Sequence, residues 1–443
     1  MDKNVLDRDW DAPSLLLFAL PSITMMIFMG LYTMADTIFV AQFVNTDALS
    51  SINIVCPVIN LTVGLGTMLA SGGNAIISRE MGAGNHQKAR EDFTLLVIAG
   101  IVIGLLLLLG GTFWVDCIIY TLGASDLLFP YCKDYLTVLL LFLPANILQT
   151  LFSNLFVTAG RPGLGFGLSI LAGGANIFLD YIFIVPCGLG IGGAALGTGF
   201  GYLIPMVAGL AYFTRNKGPL SFTRPRWSWA VITESCFNGS SEMVGQLASA
   251  VTTFLFNHRM MELSGESGVG AITILIYSQF LLNTLFIGFS MGVAPVIGFC
   301  YGSRDTVRLK KVFLTGIRFI LASSLMTFLL SRFGGSHIVG LFSEETTLVY
   351  ALAAEGFTIF SYSFLFCGLN IFTSAMFTAL SNGGVSAVLS FLRTFGLLAG
   401  GILFLPLLWD LTGVWLAVPA AEGVMVLVSA VCLVHYQKRY RYF

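Results

Sequence analysis

Long apolar runs, each about 20–30 residues and broken by Gly, Pro or charged clusters, dominate the chain. They predict twelve membrane spans. The first six fall at 13–41, 48–78, 93–115, 127–157, 163–185 and 190–213. The second six fall at 229–256, 268–300, 311–332, 346–379, 385–408 and 412–435. No run keeps the two-residue alternation of a membrane β-strand, so the spans are expected to be helices. The stretch from Thr214 to Ser228 is basic and contains Pro219 and Pro225, which reads as a linker. The expected organisation is an N-lobe over 1–213, a cytoplasmic linker over 214–228 and a C-lobe over 229–443.

A shift of 220 residues lays one half on the other almost without gaps. Ser51-Ile52-Asn53-Ile54 falls on Ala271-Ile272-Thr273-Ile274, and Met81-Gly82-Ala83 on Tyr301-Gly302-Ser303. Pro186 meets Pro406, Gly193 meets Gly413 and Leu196 meets Leu416. An even number of spans per repeat makes both halves enter from the same side, so the repeat is parallel. The fold class that follows is an all-α integral membrane protein of two pseudo-symmetric six-helix lobes. Such a chain carries its own pseudo-dimer and is expected to work as a monomer, with a central cavity between the lobes.

Composition agrees with that reading. The chain is 56% hydrophobic and 10% charged, more apolar surface than a soluble core can hold. Lys and Arg gather on one side: Arg8, Arg79, Lys88, Arg90, Arg161, Arg215, Arg224, Arg226, Arg304, Arg308, Lys310, Lys311 and the tail Lys438, Arg439 and Arg441. The other side has Lys133, Arg259 and Arg332. By the positive-inside rule both termini are cytoplasmic. The polar, acidic start followed by a long apolar run resembles a first span more than a cleaved leader. A net charge of −1 gives no field for nucleic acid. The eight Cys lie one to a segment without metal or disulfide spacing. No GxxxxGK[ST] pattern supports ATP drive. The four His form no catalytic or metal cluster, so neither an enzyme nor a cofactor is expected.

Charged groups inside spans cost at least ~2.5–3.5 kcal/mol each and need a reason. Asp36 and Asp180 each lie about six residues before the outer end of an outward-running helix, roughly 9 Å deep at 1.5 Å per residue. Asn176 is one turn from Asp180, and Tyr135 and Thr198 fall near the same level. These five form the candidate cation-coupling site. Two carboxylates and nearby oxygens suit a titrating proton, or a Na⁺ at Asp36, Asp180 and Asn176. Glu242 sits near mid-span, as a substrate or second coupling site. Glu355 and Glu422 are the 220-shift partners of Tyr135 and Tyr202 and join that second set; pairing with Arg393 is the alternative for both. Pro21 inside the first helix removes a backbone hydrogen bond and predicts a kink able to couple charge to cavity shape. Abundant Phe (38) and Met (15) suit flat, apolar, often cationic ligands.

Several stretches resemble the multidrug and toxic compound extrusion (MATE) family. They are Pro21 with Met34-Ala35-Asp36-Thr37-Ile38-Phe39-Val40; Ser78-Arg79-Glu80-Met81-Gly82-Ala83-Gly84; Ala159-Gly160-Arg161-Pro162; Asn176-Ile177-Phe178-Leu179-Asp180-Tyr181; and Ala294-Pro295-Val296-Ile297-Gly298-Phe299 with Tyr301-Gly302. The likeness is closer to prokaryotic branches, including exporters of Gram-positive bacteria, and implies a multi-pass protein of a bacterial cell membrane. It implies H⁺- or Na⁺-driven antiport of organic cations and other drugs, with Asp36, Asn176 and Asp180 as the N-lobe cation site. The wider superfamily includes lipid-linked precursor flippases, the rival reading; few Arg or Lys inside spans argue against it. A reporter fused to either terminus is expected to score cytoplasmic; an external score for one of them contradicts the even span count.

Overall fold

The computed structural model describes residues 5–44, 46–215 and 218–443, with the side chains of 34–38, 41, 42, 46, 47 and 49 outside that description. Regular structure among the described residues is helical. The N-terminal half holds α1 (Ala12–Phe43), α2 (Thr46–Gly82), α3 (His86–Phe113), α4 (Val115–Thr121), α5 (Phe129–Leu141), α6 (Leu143–Thr158), α7 (Pro162–Ile184) and α8 (Gly190–Arg215). The C-terminal half holds α9 (Trp229–Asn238), α10 (Ser240–Gly302), α11 (Thr306–Gly340), α12 (Leu348–Phe360), α13 (Phe364–Ala379), α14 (Gly383–Phe391), α15 (Gly400–Phe404) and α16 (Pro406–Tyr440). A π-helical segment, Leu392–Ala399, joins α14 to α15.

Ten of these stretches are long and apolar enough to cross a membrane, and eleven if the bent pair α5 and α6 counts as one span. The 63 residues of α10 would run about 95 Å if straight, some three bilayer cores. Gly265, at φ 62° and ψ −151°, breaks α10 into two spans and brings the described total to twelve. Only glycine adopts that backbone region without strain. Where the sequence suggested a loop over 257–267, the helices instead run up to this one residue.

Two other expected spans are not straight. The helix expected over 127–157 bends by 55° at Phe142, just before Pro144, whose ring cannot donate the next hydrogen bond. The helix expected over 385–408 contains the π-helical segment, and its last residues merge into α16 across a break at Trp409 and Asp410.

Buried apolar residues form three cores, and their placement sets the architecture. The first draws on both halves, from Leu6, Leu69 and Phe152 to Phe289, Phe299, Phe372 and Met425, and lies toward the face with the basic loops. The second uses the N-terminal half alone, around Val55, Ile119, Leu136 and Ile191. The third uses the C-terminal half alone, around Phe256, Leu275, Phe357 and Trp415. The halves therefore share a core at one end and keep separate cores at the other.

Glycine permits the shared end. A Cβ at Gly239 would overlap the Met68 carbonyl oxygen, one at Gly72 the Ser235 carbonyl, and one at Gly82 the Phe299 carbonyl. At Gly288 a Cβ would come within 2.6 Å of Ile23 Cα. These contacts lie within about 20 Å of the basic ends of their helices at 1.5 Å per residue. Three ion pairs also cross: Arg79–Glu234 at 2.9 Å, Arg308–Asp7 at 2.7 Å and Lys311–Asp9 at 3.1 Å. All are solvent-exposed, where a pair contributes about 0–1 kcal/mol. Lipid solvates apolar side chains as well as a protein core does, so close van der Waals packing must hold the halves together. The tail completes this face: the Tyr442 hydroxyl donates to the Leu433 carbonyl at 2.7 Å, and burial pushes its phenol pKa up.

Overpacking a tight site costs about 1–3 kcal/mol. Gly239→Ala is therefore expected to lower the melting temperature of the detergent-solubilised protein by several degrees. Gly245→Ala, on the same helix with open space at its Cβ, should not lower it. Equal melting of the two variants would refute the glycine contact.

Candidate cation and substrate sites

In the N-terminal half, α8 offers α7 a stripe of glycines one turn apart: Gly193, Gly197 and Gly201. The residues they admit are Phe183, Asp180 and Asn176 respectively. A side chain at 197 would overlap Asp180 Oδ1, and one at 201 would lie 3.5 Å from Asn176 Cβ. Asp180 is thus 0% exposed and Asn176 4%. The Asn176 amide Nδ2 donates to Thr198 Oγ1 at 3.3 Å. Its Oδ1 is buried with no hydrogen-bond partner among the described residues.

Tyr135 is buried on α5, in the core formed by the N-terminal half alone, and Tyr202 of α8 packs against that core. The bend at Phe142 helps bring α5 onto α8, because its ring occupies the space a side chain at Gly199 would fill. Asn176, Asp180 and Thr198 therefore come together on the α7–α8 seam, with Tyr135 on the neighbouring helix. Asp36 belongs to α1, but its side chain lies outside the described residues. Pro21 sits half-buried within α1, which continues through it as one helix.

The C-terminal half handles charge differently. Arg393, on the π-helical segment, donates to Glu422 Oε1 through Nε at 2.8 Å and Nη2 at 2.6 Å. Asn370 Nδ2 donates to Glu422 Oε2 at 2.7 Å, and Ser429 Oγ donates to Asn370 Oδ1 at 2.9 Å. Both carboxylate oxygens are engaged by charged or amide donors, which is what makes a buried ion pair tolerable in a low dielectric. The π-helical turn, which shifts the register of the helix by one residue, is a frequent device at functional positions. Glu355 is exposed on α12, with no hydrogen bond or ion pair to the Glu422 cluster among the described residues.

Glu242 is half-buried in the first turn of α10. It shares a helix face with Gly239, which meets Met68, and with Gln246, which lies beside Gly64. That face looks across the seam at α2. No hydrogen bond or ion pair engages its carboxylate among the described residues.

Asn370, Ser429 and Gly197 escaped the sequence reading. A lone Asn within the apolar run of α13 was a usable signal for the first. The role of Gly197 needed the packing of α7, which no local pattern shows.

Two parallel six-span halves, sharing a core at one end and carrying buried polar clusters, have the architecture of a membrane transport protein. Residues 21–182 and 243–399 match the MatE family, and the chain belongs to it. The chain is 26% identical over 418 residues to the multidrug export protein MepA of Staphylococcus haemolyticus, covering 92% of this chain and 90% of that one. It is 24% identical over 407 residues to MepA of Staphylococcus saprophyticus, covering 90% and 86%. A solved structure described as the outward-facing conformation of a multidrug resistance MATE family transporter superimposes with a TM-score of 0.93, at 20% identity and 100% coverage of both chains.

Removing one partner of a buried pair typically costs about 3–5 kcal/mol, while replacing both with apolar residues is nearly neutral. Arg393→Met alone should therefore destabilise the protein strongly, and adding Glu422→Leu should restore most of the loss. A double variant as unstable as the sum of its singles, read by thermal melting, would contradict a coupled pair.

Proposed function

We propose that this protein exports amphipathic, often cationic small molecules from the cell, in exchange for H⁺ or Na⁺, by alternating access. The lobes, 1–213 and 229–443 with a linker at 214–228, rock about their shared packing. The basic face is cytoplasmic, so the end at which the two cores are separate faces outward. The protein works in a bacterial cell membrane, as a monomer with both termini inside. The MepA relatives, named as multidrug export proteins, support the substrate class.

The observation that carries this reading is Asp180, fully buried against Gly197 one turn from the Asn176–Thr198 hydrogen bond. A carboxylate held there exchanges its proton, or a Na⁺ shared with Asn176 and Asp36, against a low dielectric. Its charge state changes the electrostatic cost of each lobe arrangement. Tyr135 and Thr198 complete the polar environment of that cation. Glu242, on the inter-half seam, is assigned to the substrate's positive charge. Glu422 is assigned to positioning the C-lobe helices through Arg393. Pro21 gives α1 a site at which to bend. The flippase reading gains nothing from the cations within the spans, since Arg393 is neutralised by Glu422.

Reconstituted vesicles with separately imposed H⁺ and Na⁺ gradients test this directly. One gradient should drive transport of a cationic dye, and Asp180→Asn should reduce that transport to the protein-free level. Gly197→Ala should do the same by displacing the carboxylate. Undiminished gradient-driven transport by Asp180→Asn would remove the assigned role.

A further inference from the structure

On the basic face a groove of about 490 Å³ opens between the N-terminal arm, the start of α1 and the turn between α6 and α7. Arg8 and Arg161 line it together with the apolar side chains of Trp10, Leu17 and Phe18. The turn folds beneath the arm because Gly160 adopts φ 74°; a Cβ there would come within 2.7 Å of Val5 Cβ.

The charges around this groove are unevenly spent. Asp7 receives a hydrogen bond from Arg308 at 2.7 Å and Asp9 one from Lys311 at 3.1 Å. Asp11 caps α1 by accepting from the Ser14 amide, and its hydrogen bonds with Ser14 hold the carboxyl below its ordinary range. The described acids of the arm, Asp7, Asp9 and Asp11, are thus engaged. Arg8 and Arg161 form no ion pair among the described residues, and both line the groove.

Leu17 and Phe18 of the lining belong to α1, a helix long and apolar enough to cross a membrane. Trp10 is 3% exposed, pinned by its indole hydrogen bond to the Leu6 carbonyl and by the Phe18 ring at 5.1 Å. Leu17 is 71% exposed beside it, on the side that lipid covers. A cationic head end and an apolar wall at one membrane boundary match an amphiphile with a phosphate at one end. Guanidinium suits phosphate because its planar fork donates two parallel hydrogen bonds.

We propose that this groove binds an acidic glycerophospholipid of the adjacent leaflet, its phosphate between Arg8 and Arg161 and an acyl chain along Leu17 and Phe18. The same arm is clipped to the other half through Asp7 and Asp9. A bound lipid therefore steadies the arrangement in which the basic face is closed.

The test uses the full chain in detergent micelles doped with phosphatidylglycerol, with phosphatidylcholine, or with inorganic phosphate alone. Phosphatidylglycerol should raise the melting temperature by several degrees more than phosphatidylcholine. The double variant Arg8→Gln/Arg161→Gln should lose most of that difference, while Lys310→Gln, exposed on the same face, should keep it. Equal effects of the two lipids, a full preference in the double variant, or the same gain from inorganic phosphate would each overturn the proposal. In the unaltered protein, a photoactivatable acyl chain on phosphatidylglycerol should attach within residues 14–20. Attachment spread evenly over the lipid-facing surface would also overturn it.

Discussion

Everything in this fold depends on how closely two helical halves can approach without a hydrophobic effect to drive them. In a bilayer the lipid is as good a solvent for Leu and Phe as the partner helix is, so association rests on packing density. Glycine at 72, 82, 239, 288 and 292 lets backbone meet backbone across the seam, at distances a Cβ would forbid. All these positions fall toward the basic face. That single asymmetry gives one core common to both halves and two cores that are not shared. A structure tied at one end and divided at the other can rock.

The two halves solve the problem of buried charge in opposite ways. In the C-terminal half, Glu422 is surrounded by Arg393 and Asn370, and its charge is balanced within the protein. In the N-terminal half, Asp180 is packed as deeply, in the space that Gly197 leaves on α8 and one turn from Asn176. The internal repeat diverges at this position: residue 400, the repeat partner of Asp180, is glycine.

Much of this was legible in the chain. Span number, the parallel repeat and the α7 constellation follow from long-range hydropathy and from polar residues in apolar runs, signals that lipid makes strong. The role of the glycines at 193, 197 and 201 was not legible, since only tertiary structure says that Asp180 fills the space at 197. The break at Gly265 was missed because one positive-φ residue can replace a loop. The π-helical segment was missed because its sequence, Leu392–Ala399, has no residue that forbids an α-helix. The Arg393–Glu422 pair stood in the sequence as two isolated charges on separate spans, with pairing as one of two readings, and only folding brings them together.

The central claim is that the halves move as units about the shared, glycine-packed end. Double electron–electron resonance tests it most directly, with spin-label pairs at the exposed positions 127 and 344 on one face and 215 and 304 on the basic face. Shifting the reconstituted protein between cation-loaded and substrate-loaded conditions should shorten the first distance and lengthen the second. Distances that stay fixed on both faces, or that change in the same direction, would contradict the account.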